Sequence, residues 1–483
     1  MLIRAIRGAR TRAAAEESLT GSQAEACATS NQQLLSQWWH RLQSAEAGSA
    51  GTPGDTPVSR RVPMRQPEAP RPHSFAFCGL ALLVIGAEPI RAVGPAAVLW
   101  TAPCILFASM IIAWGAESAQ FFVSQGVALA ILAWMQTLPE FAVEAVLAWK
   151  QQTAFLLAGL TGALRLLTGL GWPLIYFSAA VFHRRKTGTP LRVIRLDCAH
   201  SVNVVGLFAA LIYTAFILAK GSLNLFDAAI LICIYAAYLF LLKRLPPEDE
   251  EGIDDLEIIP RTIVLSPRLL RIALIAACFA VGGVLIYFAA EPFLGSLFAL
   301  SALLTIPTFL FIQWVAPFVS EFPEMLSTFY FARTVTRAPM ALMNMVSSNV
   351  NQWTLLTAML PIVYSISRGS ASSIIFDDQQ KLELLMTIGQ ALLGMMFLVN
   401  MELQWWEASV LFALWLIQFG FSAVPAGHGG VLGFLGHRVH VWITLTYFVW
   451  AAWEVVRLFT GARRPLALVE FARIWRGNVA RSG

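Results

Sequence analysis

The stretch AILAWMQTLPEFAVEAVLAW (130–149) places Glu140 directly after a proline, inside an apolar segment of helix length. The stretch FIQWVAPFVSEFPEMLSTFYF (311–331) repeats the pattern and places Glu324 after a second proline. A carboxyl group at bilayer depth is costly, and in membrane proteins it marks an ion or proton pathway by default. Two such segments, one in each half of the chain, therefore indicate a transporter.

The prolines add to this chemistry. A proline in a helix lacks a backbone N–H and clashes with the carbonyl four residues earlier. Pro139 and Pro323 therefore predict freed carbonyl oxygens at Met135 and Val319. A carboxylate beside freed carbonyl oxygens offers the ligands that a hard cation prefers.

Composition agrees with a membrane protein and argues against other classes. Apolar residues make up 57% of the 483 positions and charged residues 13%, whereas soluble domains carry about 25% charged residues. The chain has no nucleophile elbow, HExxH motif or Gly-rich phosphate loop, so we expect no enzymatic activity, no cofactor and no ATP-driven step. The six cysteines show no paired spacing and predict neither a disulfide nor a zinc site. The expected partners are the lipid bilayer and small cations, without nucleic acid, and the oligomeric state stays open.

Apolar runs long enough to span a bilayer, each needing ~20 residues, predict an all-α polytopic protein with about twelve spans. The predicted spans are 75–91, 97–116, 126–149, 153–182, 200–219, 224–243, 268–290, 295–333, 339–365, 380–400, 404–425 and 438–460. Two of them, 153–182 and 295–333, are too long for one straight helix and predict a break. The predicted organisation is a disordered cytoplasmic N-terminal extension (1–73), a first membrane half (74–243), an acidic cytoplasmic linker (244–267), a second half with an extra C-terminal helix (268–460) and a cytoplasmic tail (461–483).

Basic residues predict the orientation. Alternating spans put the loop HRRKTGTPLRVIR (183–195), both ends of the central linker, the link after 333 and the C-terminal tail on one side. The opposite loops hold few basic residues. The positive-inside rule then places the basic loops and both termini in the cytoplasm, in a bacterial inner membrane.

The two motifs indicate an inverted repeat. Glu140 and Glu324 lie 184 residues apart, and counting the predicted spans gives their helices opposite directions. Inverted repeats with a binding site near the bilayer midplane are a recurring transporter plan. The span after the second motif carries a polar cluster, NMVSSNVNQ (344–352), in which Asn344, Ser348 and Asn351 can share one helical face. With a shift of one residue, the matching stretch in the first half is AGLTGALR (158–165).

These four stretches resemble the two α-repeats of the sodium/calcium exchanger (cation/Ca²⁺ antiporter) superfamily, and the chain is similar to a divergent bacterial-type member. In that family each repeat has a Thr/Ser–Ser–x–Pro–Glu motif followed by Gly-Asn-x-x-Gly-Ser-Asn. The resemblance implies ten core helices in two inverted five-helix repeats, with exchange of cytosolic Ca²⁺ for Na⁺ or H⁺ by alternating access. The matching positions are the two central cation-binding glutamates, Glu140 and Glu324, the hydroxyl positions Thr137 and Ser320, and the second-motif positions Asn344, Ser348 and Asn349.

The first repeat departs from the family pattern. Gly159 and Leu164 stand where the family has Asn, Ala163 stands where it has Ser, and Arg165 follows one residue beyond a ligand position. Ca²⁺ takes six to eight oxygen ligands, so these losses weaken an ordinary Ca²⁺ site. Further candidate ligands that can offset the losses are Glu144, Glu321, Ser347, Asn351 and Thr161.

The sequence therefore predicts a secondary cation antiporter in which Glu140 and Glu324 bind Ca²⁺ and exchange it for Na⁺ or H⁺. Two alternatives stay open. One is a monovalent cation/H⁺ exchanger, favoured by the depleted first repeat. The other is a non-transporting regulatory protein of the same fold, in which Arg165 forms a salt bridge with Glu140 or Glu324.

Overall fold

A computed structural model describes residues 94–119, 121–122, 137–245, 256–422 and 431–476. The predicted N-terminal extension (1–73) and first span (75–91) lie outside these residues, as does most of the acidic part of the linker. Seven of the described helices are long and apolar enough to cross a bilayer, by length and composition. The protein is an all-α polytopic membrane protein, as predicted.

The first half consists of helices separated by short turns and two short strands. Helix α3 continues into α4 through a π-helical turn, Leu167–Gly171, which is the break predicted for 153–182. The elements are α1 (Val98–Ala119), α2 (Leu138–Trp149), α3 (Thr153–Leu166), α4 (Trp172–Thr187), β1 (Val193–Arg195), α5 (Ser201–Lys220), β2 (Ser222–Leu223) and α6 (Leu225–Leu242).

The second half repeats this plan after a short helix, α7 (Ile258–Leu265), which lies inside the predicted linker. Two more π-helical turns, Phe311–Val315 and Gln352–Leu356, interrupt its second and third helices. The elements are α8 (Arg268–Leu304), α9 (Thr308–Leu310), α10 (Ala316–Arg333), α11 (Ala338–Asn351), α12 (Thr357–Arg368), β3 (Ile374–Ile375), α13 (Asp378–Leu398), β4 (Glu402–Gln404) and α14 (Trp405–Ser422).

Strand pairing and π-turns show how the halves relate. β1 pairs antiparallel with β4, and β2 pairs antiparallel with β3. Each pair joins the link between the third and fourth helices of one half to the link between the fourth and fifth helices of the other. A two-fold axis that exchanges the halves thus exchanges the strand pairs. The π-turns begin at Leu167 and Gln352, 185 residues apart, which is one residue more than the spacing of Glu140 and Glu324. The sequence comparison of the second motifs needs the same shift of one residue. Two inverted five-helix repeats are confirmed.

One pair of helix boundaries was predicted wrongly. We expected spans at 268–290 and 295–333, with the second containing a break, but α8 runs unbroken from Arg268 through Pro292 to Leu304. A transmembrane helix tolerates a proline when neighbouring helices satisfy the freed backbone groups. The chain reverses instead at Thr305, which takes a left-handed conformation (φ 54°) two residues before Pro307. Proline close behind a helix C-terminus prevents the helix from continuing.

Two of the basic segments that the sequence placed on one side, the loop after α4 and the end of α10, lie at the same end of the membrane helices. The backbone N–H of Trp405 donates to the Arg192 carbonyl oxygen (3.2 Å), which joins the loop after α4 to the start of α14. The guanidinium of Arg333, the last residue of α10, lies 5.0 Å from the centre of the Phe182 ring on α4. At the opposite end, the Ser367 hydroxyl donates to the Trp149 carbonyl oxygen (2.5 Å).

Two elements follow the repeats. Helix α15 (Val431–Phe459) packs against α13, and α16 (Leu466–Ile474) lies within the predicted tail 461–483. Arg463, between them, is buried and forms ion pairs with Glu407 (2.6 Å) and Glu454 (2.7 Å).

Candidate cation site between the repeats

The two Pro-Glu motifs meet in the interior. Thr137 precedes α2, Pro139 lies in its first turn and Glu140 is buried. Proline is well tolerated at a helix start because its missing N–H would have no partner there. Pro139 thus begins a helix, whereas Pro323 lies inside α10 and cannot donate to the carbonyl of Val319. Met135, the other predicted free carbonyl, lies outside the described residues.

Gln352 joins the two halves of the site. It is the first residue of the π-turn after α11, and its side chain is fully buried. Its Nε2 donates to Oε2 of Glu140 (2.8 Å) and to Oε1 of Glu321 (2.6 Å). The residue was visible within the polar stretch 344–352 but was not selected as a site residue. Only the fold shows that one amide reaches carboxyl groups from both repeats.

The carboxyl groups form a connected set. Glu321 lies next to both Glu140 and Glu324 and interacts electrostatically with each, and all three side chains are buried. Like charges so close together disfavour joint ionisation. Protons or a cation must therefore neutralise part of this set.

The polar face of α11 supplies further contacts. The Ser348 hydroxyl donates to Oε1 of Glu324. Nδ2 of Asn351 donates to the Thr137 hydroxyl (2.6 Å), which links α11 to the start of α2. Four predicted site residues, one from the first repeat and three from the second, thus lie in one continuous buried region.

Asn349 contacts the first repeat through a residue outside the carboxyl set. Its Nδ2 donates to the Thr168 hydroxyl (2.8 Å), which lies in the π-turn between α3 and α4. Thr168 did not belong to the predicted site, because it follows the recognised motif stretch and has no polar counterpart in the second repeat. A polar side-chain contact therefore joins α11 to the π-turn between α3 and α4 at the repeat boundary.

The remaining hydroxyl candidates bond mainly within their own helices or to other elements. Thr161 donates to the carbonyl oxygen of Leu157 (2.6 Å), and Ser320 donates to that of Pro317 (3.2 Å). Ser347 accepts hydrogen bonds from Asn203 and Tyr238 (both 3.0 Å), so it faces α5 and α6. Asn344 is half-buried, one turn before Ser348.

Several buried oxygen atoms near the carboxyl set have no hydrogen-bond donor. Since nearly all buried polar atoms in proteins are hydrogen-bonded, such a concentration needs an explanation. Carboxylate and amide oxygens are the ligands that Ca²⁺ prefers. Among the described residues, no three His, Cys, Asp or Glu side chains have a geometry that can hold a metal ion. A cation here would therefore use amide and hydroxyl oxygens beside the carboxylates. The atoms without a donor are Oε1 of Glu140, Oε2 of Glu144, Oδ1 of Asn349 and Oε1 of Gln352.

Arg165 lies apart from this set. Its guanidinium is fully buried and forms an ion pair with Glu383 (Nη1 to Oε2, 2.6 Å). Glu383 also accepts from Gln313 (2.9 Å) and contacts His440 of α15 (3.3 Å). The non-transporting alternative predicted a salt bridge from Arg165 to Glu140 or Glu324. Arg165 instead pairs with Glu383.

Comparison with known proteins gives the family. Residues 93–243 and 274–424 match the family described as sodium/calcium exchanger protein. A structure described as the H⁺/Ca²⁺ exchanger CAX is 29% identical, with a TM-score of 0.73, and the alignment covers 84% of this chain and 97% of that one. Native YfkE is 13% identical with a TM-score of 0.51, and the alignment covers 78% and 99% of the two chains.

No curated protein sequence matches the chain. The family match divides the chain into two segments of equal length, and these coincide with the two inverted repeats of the structure. The chain belongs to the sodium/calcium exchanger protein family.

Proposed function

We propose that this protein is a secondary active antiporter that exchanges Ca²⁺ for H⁺ by alternating access, with Na⁺ as the alternative counter-ion. The observation that carries the proposal is the contact of Gln352 with Glu140 and Glu321, which joins carboxyl groups from both repeats. A site at the boundary between inverted repeats can be opened to one side and then to the other when the repeats move relative to each other.

The carboxyl set supports exchange by competition. A buried carboxylate that is charged and has no partner is unstable in a medium of low dielectric constant. Ca²⁺ or protons can each neutralise Glu140 and Glu324, so release of one favours uptake of the other. Protons bound between Glu321 and the two glutamates would neutralise the same set, which makes H⁺ the preferred counter-ion of this proposal.

The similarity to the exchanger CAX supports the same choice, since that protein is an H⁺/Ca²⁺ exchanger and its alignment covers 97% of its length. Under the orientation that the basic loops predict, the cation would leave a bacterial cytoplasm. The ion pair of Arg165 with Glu383 removes the main reason to regard the fold as non-transporting, because Arg165 pairs with a carboxylate outside the Pro-Glu motifs.

Transport into inverted membrane vesicles tests the proposal. With a pH gradient imposed, we expect uptake of radioactive Ca²⁺ by the wild type and loss of uptake in Glu140→Gln and Glu324→Gln. Glu291→Gln is the matched control, because Glu291 is an exposed glutamate of α8 that pairs with Lys150. Unchanged uptake in both site variants would refute the proposal.

The gradient identifies the counter-ion. If Ca²⁺ uptake depends on a Na⁺ gradient and not on the pH gradient, the counter-ion is Na⁺ and not H⁺. Transport of radioactive Na⁺ against a pH gradient, with no uptake of Ca²⁺, would instead assign a monovalent cation/H⁺ exchanger.

A further inference from the structure

Two pairs of equivalent positions differ between the repeats in a linked way. The 184-residue offset aligns Glu144 of α2 with Thr328 of α10, and the 185-residue offset aligns Gly159 of α3 with Asn344 of α11. In the second repeat, Thr328 is short and donates to the backbone oxygen of Glu324 (2.7 Å). The first repeat thus has a long acidic side chain on one helix and no side chain on the facing helix.

The Glu144 carboxyl group occupies the space that Gly159 leaves open. A Cβ atom built on Gly159 would lie 1.8 Å from Oε1 of Glu144 and 3.0 Å from its Cδ. Any side chain at position 159 would therefore displace the carboxyl group. The absence of a side chain on α3 and the presence of a carboxyl group on α2 are two parts of one arrangement.

Glu144 is directed into the buried carboxyl set. Its side chain is 2% exposed, and its Oε2 has no hydrogen-bond partner. It lies one helical turn after Glu140, on the same face of α2, and the two carboxyl groups interact electrostatically. A buried carboxyl oxygen without a donor, next to a proposed cation ligand, is itself an available ligand.

We propose that Glu144 supplies a carboxylate oxygen to the transported cation when the site closes around it, and that Gly159 provides the space for this carboxyl group. This inference rests on the proposed cation site at Glu140 and Glu324. It accounts for the first repeat, whose missing amide oxygen on α3 is replaced by a carboxylate oxygen from α2. Because a carboxylate replaces a neutral amide, the site gains negative charge, which favours a divalent over a monovalent cation.

Equilibrium binding of radioactive Ca²⁺ to the full-length protein in lipid nanodiscs tests the proposal. Glu144→Gln preserves size and shape but removes the charge. We expect Ca²⁺ affinity to fall about tenfold or more, because Ca²⁺ affinity depends strongly on the number of charged ligands, with little change in melting temperature. Glu291→Gln is the control at an exposed site.

A reciprocal exchange of positions strengthens the test. Glu144→Ala should weaken binding, and Gly159→Asn alone should disturb the site because its Cβ meets the carboxyl group. The double variant Glu144→Ala/Gly159→Asn should bind Ca²⁺ more tightly than Glu144→Ala, since it returns an oxygen to α3. This comparison tests the proposal even if Glu144→Gln fails to fold. If the double variant binds Ca²⁺ no more tightly than Glu144→Ala, the proposal is overturned.

Glu140→Gln separates this proposal from the underlying one. If Glu140→Gln weakens Ca²⁺ binding and Glu144→Gln binds like the wild type, the cation site stands and the role of Glu144 is overturned. If neither variant changes binding, the cation site itself is wrong and the role of Glu144 is overturned with it.

Discussion

Replacing Arg165 by leucine removes the positive member of a fully buried ion pair. Glu383, its partner, then keeps its contacts with Gln313 and His440. The variant also loses the hydrogen bond from Nε to the Thr161 carbonyl oxygen (3.0 Å) and the stacking of the guanidinium 5.2 Å from the centre of the Trp314 ring. Breaking a buried ion pair by removing one partner costs about 3–5 kcal/mol, because an uncompensated charge stays buried.

Replacing both members should be far milder. Buried ion pairs exchanged for apolar residues of similar volume are often neutral, or stabilising by about 1–4 kcal/mol, since the desolvation cost of both charges disappears. Arg165→Leu/Glu383→Leu should therefore recover most of the stability that Arg165→Leu loses. The coupling between the two positions, measured as a double-mutant cycle, is the quantity of interest.

Melting of the purified protein in detergent, followed by tryptophan fluorescence, provides the assay. At about 2 °C per kcal/mol for a chain of this size, Arg165→Leu should melt about 6–10 °C below the wild type. The double variant should melt near the wild type and keep gradient-driven Ca²⁺ uptake, since neither residue contacts Glu140 or Glu324. A single variant as stable as the wild type, or a double variant that loses the sum of both single effects, would refute the reasoning.

Three further outcomes test other contacts. Gly162→Ala should prevent folding, because its Cβ would lie 1.7 Å from the Gln313 carbonyl oxygen. The control, Gly283→Ala, has open space around it and should express normally. Equal yields of monodisperse protein from the two variants would contradict this prediction. Gln352→Leu should lower Ca²⁺ affinity by about tenfold or more by leaving two carboxyl groups without their shared donor, and wild-type affinity in the binding assay would exclude that role. Arg463→Met should lower the melting temperature by about as much as Arg165→Leu, since the buried Glu407 loses its cationic partner and Glu454 loses one of the two arginines that pair with it. An unchanged melting curve would count against a structural role.

The sequence predicts the repeats well because their signals are local. Pro-Glu dipeptides in apolar segments and basic loops at regular intervals can be read without knowing any distance in the fold. The break at Leu167–Gly171 was also predictable, since 153–182 is longer than one span requires. The boundary near Pro292 was not, because the sequence does not show which prolines are supported by neighbouring helices.

The partners of the buried polar residues could not be predicted for a different reason. Arg165 and Glu383 are 218 residues apart, and α13 contributes no motif that points to α3. In the sequence Arg165 lies next to the ligand motif, so its positive charge suggested a salt bridge that would exclude a cation from the site. In the fold, the Arg165 guanidinium instead lies over the Trp314 ring and pairs with Glu383. A buried guanidinium with a hydrogen-bonded carboxylate partner is far more stable than one beside a bound cation.

The same limit explains why the first repeat seems depleted when the motifs are compared position by position. The helices that carry the Pro-Glu dipeptides supply equal numbers of buried glutamates, Glu140 and Glu144 on α2 and Glu321 and Glu324 on α10. The additional glutamates stand at non-equivalent positions, one turn after the Pro-Glu dipeptide in the first repeat and one turn before it in the second. Gly159 has no side chain, and only a residue from a facing helix can fill that space. A lost amide on one helix and a gained carboxylate on its neighbour are therefore a single change in the fold, although they are two unrelated changes along the sequence.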